Sequence, residues 1–231
     1  MVDSSPARRA REIPTSAGAL GSEMYARILS QLMSVTIEPG ARLTVDALAR
    51  EMEVSQTPIR EALGRLEADG LVVKSHLRGY RATPVLSPRE FDELFEIRAL
   101  LEPFAASRAA ELRTEEQLAA LEELDRLMAE FRVDSRPSRP RSAFSALDAE
   151  FHDLVAQAGA NSLVRDSLAR LHSHMHIFRL RRDQTVVDTA VEEHHPLVVA
   201  IRDRNAHVAK AAMRFHVERS HQRVRNRFES T

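Results

Sequence analysis

The sequence predicts a mainly α-helical protein in two parts: three helices closed by a small β-hairpin, then an all-helical bundle. Three observations carry this expectation. Apolar residues recur at helical spacing in three short segments before Gly70. Between Leu71 and Thr83 the pattern changes to that of paired strands. After Pro84 every periodic segment is helical again.

The elements follow in order. Residues 1–20 are rich in Ser, Pro, Ala and Arg, lack periodicity, and read as a disordered tail. From Glu23 to Met33, the residues Met24, Ile28, Leu29 and Leu32 fall at helical spacing. Glu38-Pro39-Gly40 breaks the chain. Leu43 opens a second helical pattern, with Val45, Leu48 and Met52 on one side. A third runs from Ser55 to Ala68 with Ile59, Ala62, Leu63 and Leu66 inward. Asp69-Gly70 ends it, because glycine tolerates the left-handed backbone. Leu71–Lys74 and Tyr80–Thr83 flank residues 75–79 as a hairpin, with Gly79 easing the return. Three helices and such a hairpin make a winged helix-turn-helix, assigned to residues 21–84.

Residues 85–231 read as the bundle. Ser87-Pro88-Arg89-Glu90 is a capping box with proline in the first turn, opening a helix to Leu112. Thr114 with Gln117 repeats the signal for a helix reaching Phe131. Ser135 to Ser142 is a polar, proline-broken loop, expected to be mobile. Helices are predicted at 144–158, 161–181, 189–204 and 206–228, with Thr189 and Glu192 capping the third and Asn205 the last.

Composition narrows the function. The 231 residues are 43% hydrophobic and 29% charged, ordinary for a globular protein. No apolar run approaches a membrane span, and Arg8, Arg9 and Arg11 precede no apolar stretch of a secretory signal. With no cysteine, disulfides and thiolate metal sites are excluded. A cytoplasmic protein is therefore expected. The net charge of −1 provides no bulk basic field, so any affinity for nucleic acid must come from local placement of charge. Aromatics at 5%, with no tryptophan, disfavour a stacking platform for single strands.

The third helix has that local placement. Ser55 is positioned to cap it, leaving Gln56, Thr57 and Arg60 on the exposed first turns and Arg65 further along. Pro58 lies early enough that its missing N–H costs no intrahelical bond. Such a helix start suits the major groove: Gln56 for an adenine edge, Arg60 for guanine or phosphate, Thr57 and the free N–H groups for a phosphate. In the hairpin, Lys74, His76, Arg78 and Arg81 can follow the backbone or enter a minor groove, with Gly79 shaping the wing. The plainer alternative is a three-helix corner with a solvated charged face.

These residues carry a resemblance. Pro39-Gly40-Ala41-Arg42-Leu43, Ala47-Leu48-Ala49, Val54-Ser55-Gln56-Thr57-Pro58-Ile59-Arg60-Glu61-Ala62-Leu63 and Glu67-Ala68-Asp69-Gly70-Leu71 resemble the N-terminal domain of the GntR family. Two positions depart from its pattern. The family usually has Arg at the place of Gln56, which implies a different operator, and Gly at the place of Glu53, in the turn between helices. The later helices resemble the FCD domain of the FadR-type subfamily, through Glu96–Pro103, Asp148–Leu154, Glu193-His194 with Ala200-Ile201, and His216. That resemblance implies a divalent metal held by one Asp and three His, beside a carboxylate-bearing effector, in a homodimer.

The spacing of the residues agrees. Phe144, Leu147, Phe151, Leu154 and Val155 define a buried helix face that also holds Asp148 and His152, four residues apart. His194 shares a stripe with Ala190, Leu197, Val198 and Ile201, and His216 one with Ala209, Ala212 and Met213. Asp148, His152, His194 and His216 thus point inward as an N,N,N,O set suited to zinc first, with nickel or manganese as alternatives. A buried carboxylate also needs a cation or a partner. The plainer reading makes each histidine a satisfied core residue, and it is adopted for His195, His207 and His221. His172 and His176 share a face and form a rival pair. His174 falls nearer the face of Leu171 and Phe178 and is assigned to contact the effector. Arg98, among Phe91, Leu94, Phe95 and Leu101, needs a carboxylate, either the effector's or that of Glu102.

The expected function is a DNA-binding transcription regulator, a repressor, acting as a homodimer on a palindromic double-stranded operator and released or engaged by a small carboxylate. The competing class is a metal-dependent hydrolase using the Asp and three His. It has no H-E-x-x-H spacing for a general base, and it gives no reason for Gln56, Thr57 and Arg60 at a helix start. An interaction bundle leaves both features unexplained.

Overall fold

The computed structural model describes residues 16–75, 79–133, 141–180 and 185–228. Of the tail expected over residues 1–20, residues 1–15 lie outside the described residues and 16–20 are helical instead. Of the loop expected from Ser135 to Ser142, residues 135–140 lie outside them, and Arg141 and Ser142 open a helix.

The N-terminal part is a winged helix-turn-helix. Helix α1 (Ser16–Met33) starts well ahead of the expected Glu23. It packs on α3 (Gln56–Ala68), with Met24, Ile28 and Leu32 buried against Ile59, Leu63 and Leu66. Strand β1 (Arg42–Leu43) lies where the second helix was expected to begin. Helix α2 (Val45–Glu51) begins after Thr44, whose hydroxyl accepts from the Ala47 N–H at 3.3 Å. Two residues are too few to show strand alternation, so the sequence pattern hid β1. Strands β2 (Val72–Ser75) and β3 (Gly79–Ala82) form the hairpin, and the sheet order is β1-β3-β2, all antiparallel. Gly79 has φ +84°, and a Cβ there would sit 2.8 Å from the Leu43 carbonyl oxygen, so glycine is required where β3 passes β1.

The turn between α2 and α3 turns on Glu53, which adopts φ +56°. This is the position where the related pattern has glycine, and a residue with a Cβ holds the left-handed conformation there at a cost. Ser55 sits at the N-cap of α3 in extended backbone but makes no side-chain cap bond, contrary to expectation. Gly70, at φ +70°, closes α3 as expected.

The C-terminal part is an all-helical bundle. It comprises α4 (Pro88–Leu112), α5 (Glu115–Val133), α6 (Arg141–Ala158), α7 (Ser162–Arg170), α8 (Ser173–Leu180), α9 (Thr185–Arg202) and α10 (Ala206–Phe228). The capping box of α4 is complete, with Ser87 and Glu90 satisfying each other's backbone N–H. Thr114 and Gln117 do the same for α5 at 3.2 and 2.9 Å, and Asn205 caps α10 at 3.1 Å. Helix α4 packs along α10 and against α6 and α9, closing a core that includes Phe91, Phe151, Leu121, Met128, Leu197 and Met213.

Two boundaries differ from expectation. Thr189 lies inside α9 rather than at its cap. The helix predicted at 161–181 is divided into α7 and α8 by His172, which takes φ +45°. No Gly or Pro marks that break. Its cause is tertiary: a Cβ on Gly70 would lie 2.5 Å from the His172 ring, so the kink fits against the end of α3. Among the described residues, no helix is long and apolar enough to cross a membrane.

Candidate functional site

The front of α3 is exposed, while its rear face, from Pro58 to Leu66, anchors it in the core. Gln56, Thr57 and Arg60 all lie on the exposed side. Gln56 donates from Nε2 to Asp46 Oδ1 at 2.5 Å and accepts at Oε1 from Arg60 Nη2 at 2.9 Å. Arg65 is engaged by α1: its guanidinium lies 4.2 Å over the Tyr25 ring and donates to Ser22 at 3.1 Å. Lys74 is exposed on β2, and Arg81 donates to the Gly40 carbonyl at 2.6 Å. His76 and Arg78 lie outside the described residues.

Inside the bundle, three helices bring four expected residues together. One ligand atom from each of Asp148 and His152 on α6, His194 on α9 and His216 on α10 lies within 4.8 Å of the others. His152, His194 and His216 are buried, and their rings pack closely, with His194 and His216 centroids 4.5 Å apart. Asp148 Oδ1 faces His194 Nε2 at 3.4 Å and His152 Nε2 at 3.9 Å. The second carboxylate oxygen accepts from His174 Nδ1 at 2.9 Å.

Asp148, His152 and His216 are each approached from behind by a further side chain. His216 Nδ1 is 3.0 Å from Glu193, which Arg223 grips with both terminal nitrogens. His152 Nδ1 approaches Glu102 Oε2 at 2.8 Å, as an ion-pair contact without the alignment of a hydrogen bond. Glu102 in turn accepts from Arg98 Nε at 2.5 Å. Glu102, the internal partner weighed above, engages Nε and Nη2 of Arg98, while Nη1 is buried with no hydrogen-bond partner.

Protonation follows from burial and neighbours. Burial drives the His194 and His216 rings well below the usual imidazole range, leaving them neutral with a lone pair to offer. Burial raises the Asp148 carboxyl, but the His174 hydrogen bond and the facing imidazoles outweigh it, and the group is held well below the usual carboxylate range. Glu102 is likewise pushed up by burial and held down more strongly by Arg98 and His152. The neutral rings of His194 and His216 thus face an ionised Asp148, the protonation state that a metal requires of its ligands. Both ring nitrogens of His152 and of His194 are buried without a hydrogen-bond partner, so the residues present fit a divalent ion.

Glu102, His152 and His174 form a second group with ligand atoms within 4.8 Å, sharing His152 with the first. The kink in the chain separates His172 from His176, and the His172 ring turns to Gly70. His195 and His221 pair with Asp125 and Asp92, both at 2.8 Å, and His207 is exposed.

A cavity of about 340 Å³ opens beside His152 and His174. Four of its lining residues come from the N-terminal part, with nothing in the sequence to place them there. Tyr25, Leu29 and Met33 of α1 and Asp69 at the end of α3 line it, together with α6 and α7. Leu29 reads from the sequence as a core position of the first helix, and nothing in its spacing or that of Tyr25 marks a shared wall.

Comparison with known proteins matches residues 20–81 to "Bacterial regulatory proteins, gntR family" and residues 93–219 to "FCD domain". The chain is similar to the Bacillus subtilis (strain 168) HTH-type transcriptional regulator LutR, 29% identical over 78% of this chain and 90% of that protein. It is 31% identical to the probable D-xylose utilization operon transcriptional repressor of Paenarthrobacter nicotinovorans, over 76% of this chain and 78% of the relative. Among solved structures, E. coli McbR/YncC shares the fold with a TM-score of 0.68 at 20% identity, covering 90% of this chain and 98% of that one.

Proposed function

The chain belongs to the gntR family of bacterial regulatory proteins, with an FCD domain, and we propose that it is a repressor whose operator affinity is set by a metal-seated carboxylate. It is a DNA-binding transcription regulator and not an enzyme, so the hydrolase alternative falls away.

Residues 21–84 read a palindromic operator, and residues 85–231 sense the effector and pair two chains. Gln56 trades its bonds to Asp46 and Arg60 for a base edge, and Arg60, once released, meets guanine or phosphate. Thr57 and Ser55 meet the backbone at the helix start, and Lys74 and the Gly79 wing follow it. The exposed apolar face of α4, with Ile97, Leu100 and Phe104, supports pairing through the helical part.

Asp148, His152, His194 and His216 would hold the ion, zinc first and nickel or manganese as alternatives. When bound, a divalent ion supplies a Lewis-acidic seat for a carboxylate. The carrying observation is the orphaned nitrogens of His152 and His194 around an ionised Asp148. Each buried donor or acceptor left unpaired costs about 1–3 kcal/mol, which ligation offsets. His174 holds Asp148 and borders the cavity where the effector would lie.

The test is fluorescence anisotropy with DNA from upstream of the gene, using the zinc-loaded full chain and a panel of carboxylates from acetate to citrate. At least one carboxylate shifts the wild-type operator affinity. His194→Ala binds the same DNA without that response, and Arg60→Ala loses specific binding. An undiminished response in His194→Ala contradicts the reading.

A further inference from the structure

The cavity beside the metal donors extends beyond the bundle. Along α6 its wall runs from Ser145 to Ala156, roughly 16 Å of helix at 1.5 Å per residue. Tyr25, Leu29 and Met33, spaced four residues apart on one stripe of α1, also line it. A single cavity therefore touches both the sensing helices and the first helix of the DNA-reading part.

Its chemistry is divided. His152 and His174 lie at the metal side, and Ser145 adds a buried hydroxyl with no partner. Away from them most of the wall is hydrocarbon, from Ala149 and Ala156 of α6, Leu168 of α7 and Leu29 and Met33 of α1, with the paired Asp153 and Arg165 and with Asp69 also bordering it. A short acid such as acetate would fill the polar end alone and leave that hydrocarbon wall facing empty space. The volume, about 340 Å³, is within the range of sites for organic ligands well above acetate in size.

We propose that the effector is an amphiphilic monocarboxylate of medium chain length, its head at His152 and His174 and its apolar body against Leu29 and Met33. The ligand itself then joins the two parts of the protein. Asp69, which accepts from the Tyr25 hydroxyl at 2.7 Å, borders the same cavity at the end of the recognition helix. Filling the cavity fixes α1 and the end of α3 against α6 and α7, so occupancy sets the angle at which the reading head meets DNA. This rests on the carboxylate-and-metal reading above and adds the body of the ligand and the route of coupling.

The experiment is calorimetric titration of the zinc-loaded full chain with acetate, hexanoate and decanoate, alongside Met33→Gln. Each buried methylene tightens binding about fourfold, so affinity climbs steeply from acetate to hexanoate and onward until the cavity is full. Met33→Gln leaves acetate affinity unchanged and weakens decanoate about tenfold, roughly the contribution of one or two methylenes. Decanoate, and not acetate, shifts operator anisotropy. Acetate binding with no dependence on chain length, or a Met33→Gln chain that holds decanoate as tightly as wild type, overturns the bridging ligand and leaves the carboxylate site standing. Failure of all three acids to bind the zinc-loaded chain overturns the amphiphilic monocarboxylate, and the carboxylate site falls with it when the panel from acetate to citrate also leaves operator affinity unmoved.

Discussion

His174 donates to Asp148 at 2.9 Å through Nδ1, on the carboxylate oxygen that turns away from His194. The histidine assigned from sequence to the effector thus also holds the aspartate of the candidate metal cluster. Partners of this kind orient a ligand and tune its basicity, and losing one typically costs ten- to a hundredfold in metal affinity. His174→Ala is expected to lose that much in a zinc competition titration against a chromophoric chelator, while still binding the metal. An unchanged affinity would remove His174 from the support of Asp148.

Arg98 and Glu102 form a buried ion pair, with both side chains under 5% exposed. Removing one member of such a pair leaves a charge without a counterion and costs about 3–5 kcal/mol. Arg98→Met therefore lowers stability by about that amount in urea unfolding followed by circular dichroism. Combining it with Glu102→Gln restores most of the loss, since no bare carboxylate then remains. A single variant as stable as wild type contradicts the tight pairing.

Glu53 holds φ +56° between α2 and α3. Relieving a side chain of left-handed backbone is worth about 1 kcal/mol, partly offset by the freer unfolded chain of glycine. Glu53→Gly is expected to raise the unfolding midpoint of the DNA-reading part. The protein's two tyrosines, Tyr25 and Tyr80, both lie in that part, and there is no tryptophan, so tyrosine fluorescence reports on it selectively. A lowered midpoint would mean that Glu53 makes contacts worth more than its strain.

Leu100 is 70% exposed on α4, in line with Ile97 and Phe104. A charge at the centre of that strip opposes pairing of two chains. Leu100→Glu is expected to sediment as a monomer at concentrations where wild type is a dimer, and to bind a palindromic operator more weakly. Unchanged sedimentation would move the interface elsewhere.

The legibility of this protein in its sequence followed the range of the forces involved. Local signals were readable: the caps at Ser87, Thr114 and Asn205, the stop at Gly70, and the inward stripe of α3 depend on residues within one turn of each other. The four donors were also readable, because Asp148 and His152 lie one turn apart and His194 and His216 each sit on an apolar stripe. What stayed hidden was set by distant partners. The break at His172 has no local breaker and depends on Gly70, and Arg223 supports His216 through Glu193. The wall that α1 contributes to the cavity arises only when the two parts meet.

The most direct test is elemental analysis of the full chain after zinc loading and exhaustive dialysis, for wild type, Asp148→Ala and His194→Ala. The account predicts one equivalent of zinc per wild-type chain, most of it lost in either variant, with the helical circular dichroism retained. Equal zinc in all three, or a wild-type chain that retains none, would contradict it.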